Sequence, residues 1–137
     1  MHEQNELYAS KIFFNAALPL LKVIANDVPS LKKQFEGMNA VLQVSALDPE
    51  APAGKYATHF IITEGEWETK LDAVYETPDV ELEFKNIEAM NAFFKGKIGP
   101  ATLPKMKGVI KHFAAFKAML FTLLKLSDLT GATKAPE

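Results

Sequence analysis

Four segments between residues 42 and 84 obey one rule: every second residue belongs to an apolar row. Leu42, Val44 and Ala46 alternate with Gln43 and Ser45. Tyr56, Thr58, Phe60 and Ile62 alternate with Ala57, His59 and Ile61. Trp67, Thr69, Leu71, Ala73 and Tyr75 alternate with Glu66, Glu68, Lys70 and Asp72. Val80, Leu82 and Phe84 alternate with Glu81, Glu83 and Lys85. Successive side chains of a strand point to opposite faces, so this period predicts four strands with one apolar and one mostly polar face. The turn chemistry agrees. DPEAPAG (48–54) is a loop, Glu64-Gly65 is a tight hairpin signal, and TPD (77–79) precedes the fourth strand. The reading is an antiparallel sheet covered on one side, with much of the acidic charge on its open, solvated side.

The flanks change to a helical period. Over residues 6–27, Phe14, Leu18, Leu21 and Ala25 make an apolar stripe, and Pro19 should kink or divide the helix. Residues 29–36 predict a short helix with proline near its start and Gly37 past its end. Asn86 can cap a helix over 87–94 that Gly96 ends. The proline-broken stretch 99–110 leaves room for a short edge strand within 102–109. A last helix spans 111–126, and GATKAPE is a tail. The expected fold is α+β: an antiparallel sheet of about five strands, one face covered by the N- and C-terminal helices. A chain of 137 residues with no repeat or linker is one domain, 1–137, with its core at about 31–126.

Several functions find no support in these residues. There is no cysteine, hence no disulfide, thiol nucleophile or cysteine-ligated metal. His2, His59 and His112 are scattered and lack metal-ligand spacing. His59 reads as surface or structural and His112 as solvated among lysines. No nucleophile elbow surrounds the serines, and GKIGPAT lacks the spacing of a phosphate loop. No cofactor is implied, and the expectation is a non-enzyme. The complete absence of arginine argues against nucleic-acid readout. The polar N-terminus, the missing cysteines and the lack of an apolar run of ~18 residues predict a soluble, cytoplasmic protein.

The net charge of −2 hides an asymmetry. Residues 48–88 hold eleven acids and three lysines; residues 89–127 hold seven lysines and no acid. Five of those lysines (Lys95, Lys97, Lys105, Lys107 and Lys111) lie in FFKGKIGPATLPKMKGVIKHF, directly before the most apolar helix. In that helix Phe121 lies between Lys117 and Lys125 at helical spacing, where water is expected. Four readings fit: a core helix with one stray exposed aromatic, a dimer face, a membrane-contacting face, or the wall of a ligand cavity.

The order PDVELEF, NIEAMNAFFKGKI, LPKMKGVIK and a C-terminal apolar helix resembles the sterol-carrier, type-two sterol-transfer domain family. LKKQFEGMNAVLQVSAL resembles that family's approach to its first strand. The similarity covers roughly residues 31–126, and GPATLPKMKG is longer and more proline-broken than the family's basic strand. The resemblance implies a lipid tunnel closed by the last helix and a fatty-acid, acyl-CoA or sterol-like ligand. Such a site needs volume and apolar walls rather than a catalytic motif, since each buried methylene contributes ~0.8 kcal/mol. Its walls would be Phe60, Ile62, Phe93, Phe94, Met106, Phe113, Phe116, Met119 and Leu120. Lys95, Lys97, Lys105, Lys107 and Lys111 would ring its mouth, holding an anionic head group or steering the protein onto an anionic membrane. Two alternatives stay open: an internal match of those lysines with the acidic sheet, and a regulatory module that dimerises through the last helix.

Overall fold

The computed structural model describes residues 4–129, apart from the side chains of Phe13 and of residues 127–129; the GATKAPE tail lies outside them. The chain opens with α1 (Gln4–Ile12), which runs into a π-helical turn (Phe13–Ala17). Pro19 divides it from α2 (Leu20–Asp27), as its missing N–H requires. Next come α3 (Pro29–Phe35), β1 (Ala40–Leu47), β2 (Lys55–Thr63) and β3 (Glu66–Lys70). The chain ends with β4 (Val80–Phe84), α4 (Ile87–Phe94), β5 (Lys105–Lys107) and α5 (Phe113–Leu129).

The local signals work as their chemistry dictates. Glu64 and Gly65 both adopt positive φ, at 49° and 82°, which gives the two-residue hairpin turn that matches strand twist. The Asn86 side chain caps α4 by accepting from the Ala89 N–H at 2.7 Å.

The sheet order is β3-β2-β1-β4-β5. β1 pairs antiparallel with β2 and β2 with β3, but β1 and β4 run parallel. The sheet is therefore mixed, which corrects the antiparallel expectation. The reason lies in residues 71–79. The alternation of the third segment continues to Tyr75, yet β3 ends at Lys70, because Asp72 turns the chain in the left-handed region (φ 47°). From there the chain does not turn back beside β3. It crosses the sheet as a strap and enters β4 on the far side of β1 in the same direction.

The strap also overturns the expectation of an open polar face. Gln43 brackets Tyr75: its Oε1 accepts from the Tyr75 N–H (2.6 Å) and its Nε2 donates to the Tyr75 carbonyl (3.3 Å). His59 Nδ1 donates to the Ala73 carbonyl at 2.7 Å, so His59 is a structural residue. Beneath lie Ser45, Glu81 and Glu83, all buried.

The apolar face carries the core. Leu42, Val44, Phe60, Ile62, Leu82 and Phe84 lie under the helices with Leu18, Phe35, Met90, Met119 and Leu123 in one continuous cluster. Phe60, Trp67 and Phe35 meet edge to face, as do Phe84, Phe93 and Phe94 in part. α5 packs on α2, α3 and β1, and α1 packs on α4. Among the described residues no single helix is long and apolar enough to cross a membrane.

Candidate functional site

The expected wall residues divide into two groups. Phe60, Ile62, Phe93, Phe94 and Met119 belong to the core cluster, and half-buried Phe116 packs against it. Leu120 is half-buried, while Met106 and Phe113 face outward, at 37% and 58% exposure. The structure thus brings six of the nine together in one apolar layer between sheet and helices. None of the nine lines the three clefts around Phe35 and Gly65, Leu7 and Phe14, and Pro52 and Val74.

One cleft opens on the same side of the sheet, at the opposite end of the chain from the lysines. It has a volume of about 420 Å³ and is lined by Leu7, Ser10, Lys11, Phe14, Asn15, Tyr56 and Asp72. That is within the ~300–1,000 Å³ of small-molecule sites. A second cleft of about 300 Å³ shares Tyr56 and Asp72 with it and continues beside Lys55 and Val74. Burial, then the charges of Asp48, Glu50 and Asp72, push the Tyr56 hydroxyl above its usual 10.0, so it stays a neutral phenol. Sequence reasoning missed this pocket because its walls come from α1, the π turn, β2 and the strap, whose meeting has no local signature.

The five rim lysines also divide. Lys107 lies opposite Glu81 in the β4–β5 register and reaches across to Glu83 at 3.0 Å. For this residue the internal match holds. Lys95, Lys97, Lys105 and Lys111 are exposed and make no ion pair among the described residues. Lys117 sits 5.8 Å from the Phe121 ring centre, a cation-π contact. His112 Nε2 lies 3.5 Å from Asp79 Oδ1, tying the start of α5 to the end of the strap.

The Lys107 pair is half of a network that sequence reasoning did not find. Lys55 reaches Glu81 (2.9 Å) and Glu83 (2.8 Å), which sit two apart on the same face of β4. Gln43 Nε2 donates to Glu81 at 3.0 Å, and Ser45 Oγ donates to the same carboxylate. Burial alone would raise the Glu83 pKa, but the hydrogen bonds from Lys55 and Lys107 and their charges outweigh it and hold it below 4.5. Burial would likewise lower Lys55, but its bonds to Glu83 and Glu81 outweigh this and hold it above 10.5. Lys55 and Glu83 thus hold each other ionised near neutral pH, and Glu81 and Lys107 complete the network of pairs. The buried carboxylates are satisfied by Lys55, Lys107, Gln43 and Ser45, so the network reads as structural. No group of His, Asp and Glu side chains able to hold a metal occurs among the described residues.

A scan against family models and a search of curated proteins both find no match. Solved structures do match. A conserved hypothetical protein from Thermus thermophilus, described as a candidate sterol carrier protein, aligns with a TM-score of 0.58 at 18% identity, over 91% of this chain and 92% of its own. A sterol carrier protein 2 aligns at 0.58 and 15% identity, over 88% and 96%. The chain has the sterol carrier protein fold. The domain 2 sterol carrier of Helicoverpa armigera aligns at 0.50 and 18% identity, over 91% of both chains. These alignments span 88–91% of the chain, a larger share than the residues 31–126 that carried the likeness in sequence.

Proposed function

We propose that the chain is a non-enzymatic lipid-binding or lipid-transfer domain. The ligand, a fatty acid, acyl-CoA or sterol-like molecule, lies between the apolar sheet face and its helical cover. Phe60, Ile62, Phe93, Phe94, Phe116, Met119 and Leu120 form its walls, with Met106 and Phe113 at the mouth. Lys95, Lys97, Lys105 and Lys111 receive an anionic head group, and Lys107 stays tied to Glu83. Loading and unloading involve transient contact with anionic membranes.

One observation carries this reading. The apolar layer does not stop at the surface: along α5 it runs from buried Met119 and Leu123 to exposed Phe113 and Phe121. Lys111, one of four exposed lysines with no ion pair among the described residues, lies two residues before Phe113 in the chain. A fold shared with sterol carriers supports the reading by analogy only, because one fold can host many functions. A chain of a dozen or more methylenes would gain on the order of 10 kcal/mol from apolar walls before the costs of association.

The test is native mass spectrometry of the freshly purified protein, followed by organic extraction and titration with a fluorescent fatty acid and a fluorescent sterol. A stoichiometric adduct or saturable binding is expected. A clean apo mass with no binding of either probe overturns the proposal. A second reading, a regulatory module that dimerises through α5, rests on the 43% exposure of Phe121. Sedimentation of the wild type and Phe121→Glu decides it: a monomer at all concentrations removes it.

A further inference from the structure

We infer that the protein docks on anionic lipid bilayers through one face, built from the turn before α5 and the outward stripe of α5, and that this face inserts shallowly. The inference rests on the lipid-carrier reading and assigns the surface through which a carrier would exchange its cargo.

The face is continuous along the chain. Ile110 is 97% exposed, which leaves its side chain without a packing role in this fold. Lys111 follows it. Phe113, Lys117, Phe121 and Leu124 then recur at helical spacing, all of them exposed. Apolar side chains and ammonium groups thus alternate along one stripe. Isolated exposed hydrophobes need no explanation, but a row of them interleaved with lysine is the composition of an interfacial surface.

Charge selects the occupant. The chain carries −2 overall, so as a uniform charge it would be repelled by an anionic bilayer. Its charge is not uniform. β5, with Lys105 and Lys107, is one edge of the sheet; β3, with Glu66 and Glu68, is the other. Four strand spacings of ~4.8 Å put these edges ~19 Å apart. That exceeds the ~8 Å screening length at physiological salt, so the far acids do not cancel the near lysines. The carboxylates beside β5 and the start of α5 are occupied: Glu81 and Glu83 by Lys55 and Lys107, Asp79 by the Val41 N–H and His112. A second copy fits poorly. From Ile110 to Leu124 the stripe carries Lys111 and Lys117 and no acid, so two such stripes would meet positive with positive.

Co-sedimentation with phosphatidylcholine vesicles, with and without phosphatidylserine, tests this directly. Binding is expected only when phosphatidylserine is present, and it should disappear in molar salt. Each lysine at such a surface is worth about fivefold in partitioning, so Lys105→Glu/Lys111→Glu/Lys117→Glu should lower binding by about 100-fold or more. Lys22→Glu/Lys32→Glu/Lys33→Glu makes the same charge change on the exposed sides of α2 and α3 and should retain most of the binding. Ile110→Ser cannot disturb packing and should weaken binding by severalfold. Equal loss in both triple variants, equal binding to neutral vesicles, or no binding at all overturns the assignment. So does a dimer that Ile110→Ser and Phe121→Glu dissociate. The fluorescent fatty acid keeps the two ideas apart. Retained probe binding with no vesicle binding sinks the docking face alone; vesicle binding with no probe binding sinks the carrier reading alone.

Discussion

The two faces of the central sheet are both covered, by opposite means. On one face, helices press Leu42, Val44, Phe60 and Leu82 into a mainly apolar layer, in which Thr58 donates to the Phe14 carbonyl and Thr122 to that of Ala118. On the other, a nine-residue strap closes over Gln43, Ser45, Glu81 and Glu83, with Lys55 and Lys107 reaching in from the sides. The first cover is held by area and the second by pairing. An apolar layer can admit a ligand or reshape, because its contacts are non-directional. An ionic layer cannot, because each charge taken from water must keep its partner. The contrast assigns plasticity to the helical side and register to the strap side.

Leu82→Ala should have the largest effect. Leu82 is fully buried in the central layer, and its loss should cost about 3 kcal/mol in urea denaturation. A cost below about 1 kcal/mol would mean that the apolar face absorbs the change by collapse, which would sharpen its claim to plasticity. Lys55→Met comes next, at about 2–3 kcal/mol, because it strands two adjacent buried carboxylates on one remaining lysine. If it costs nothing, the ionic layer does not fix the strap and the comparison fails.

The same layer predicts an acid limb. Glu83 titrates below 4.5 in the folded protein, so its stabilisation is complete above the ordinary carboxylate range and is lost as pH falls through the lower folded value. Wild-type stability should therefore fall as pH drops from the ordinary carboxylate range through the lower folded value, and Lys55→Met, already weakened at neutral pH, should show a shallower fall. A pH profile parallel in the two proteins would exclude Lys55 as the cause. The smallest effect belongs to Gln43→Ala, at about 1–2 kcal/mol, read best as faster amide exchange at Tyr75 than in the core strands. Uniform exchange would show that the strap opens only with the whole sheet.

What could be read from the residues was local. Period two marked β1, β2 and β4, Glu64-Gly65 marked the hairpin, and Asn86 and Pro19 marked their helix boundaries. The order PDVELEF, NIEAMNAFFKGKI, LPKMKGVIK and an apolar helix pointed to the sterol carrier fold. The direction of β4 could not be read, because alternation is the same in parallel and antiparallel strands. The end of β3 was masked for a related reason: Leu71, Ala73 and Tyr75 keep the rhythm after Asp72 has turned the chain. With β4 misdirected, Lys55 could not be seen beside Glu81 and Glu83, and the acidic rows read as solvated. The cleft by Tyr56 was hidden as well, since its walls lie far apart in sequence.

The parallel pairing of β1 with β4 has a kinetic consequence. The β2–β3 turn brings together Thr63 and Glu66, near neighbours in sequence, whereas Gln43 meets Glu81 across 38 residues. Hairpins close in ~1–10 μs, and distant pairings wait on a longer search. β1, β2 and β3 can therefore assemble as a local unit while Gln43, Ser45 and Lys55 remain hydrated. Only when β4 arrives does Glu81 give all three a partner and the strap lie down over them. Water should leave this face of the sheet late, making the arrival of β4 the event that commits the chain to its fold.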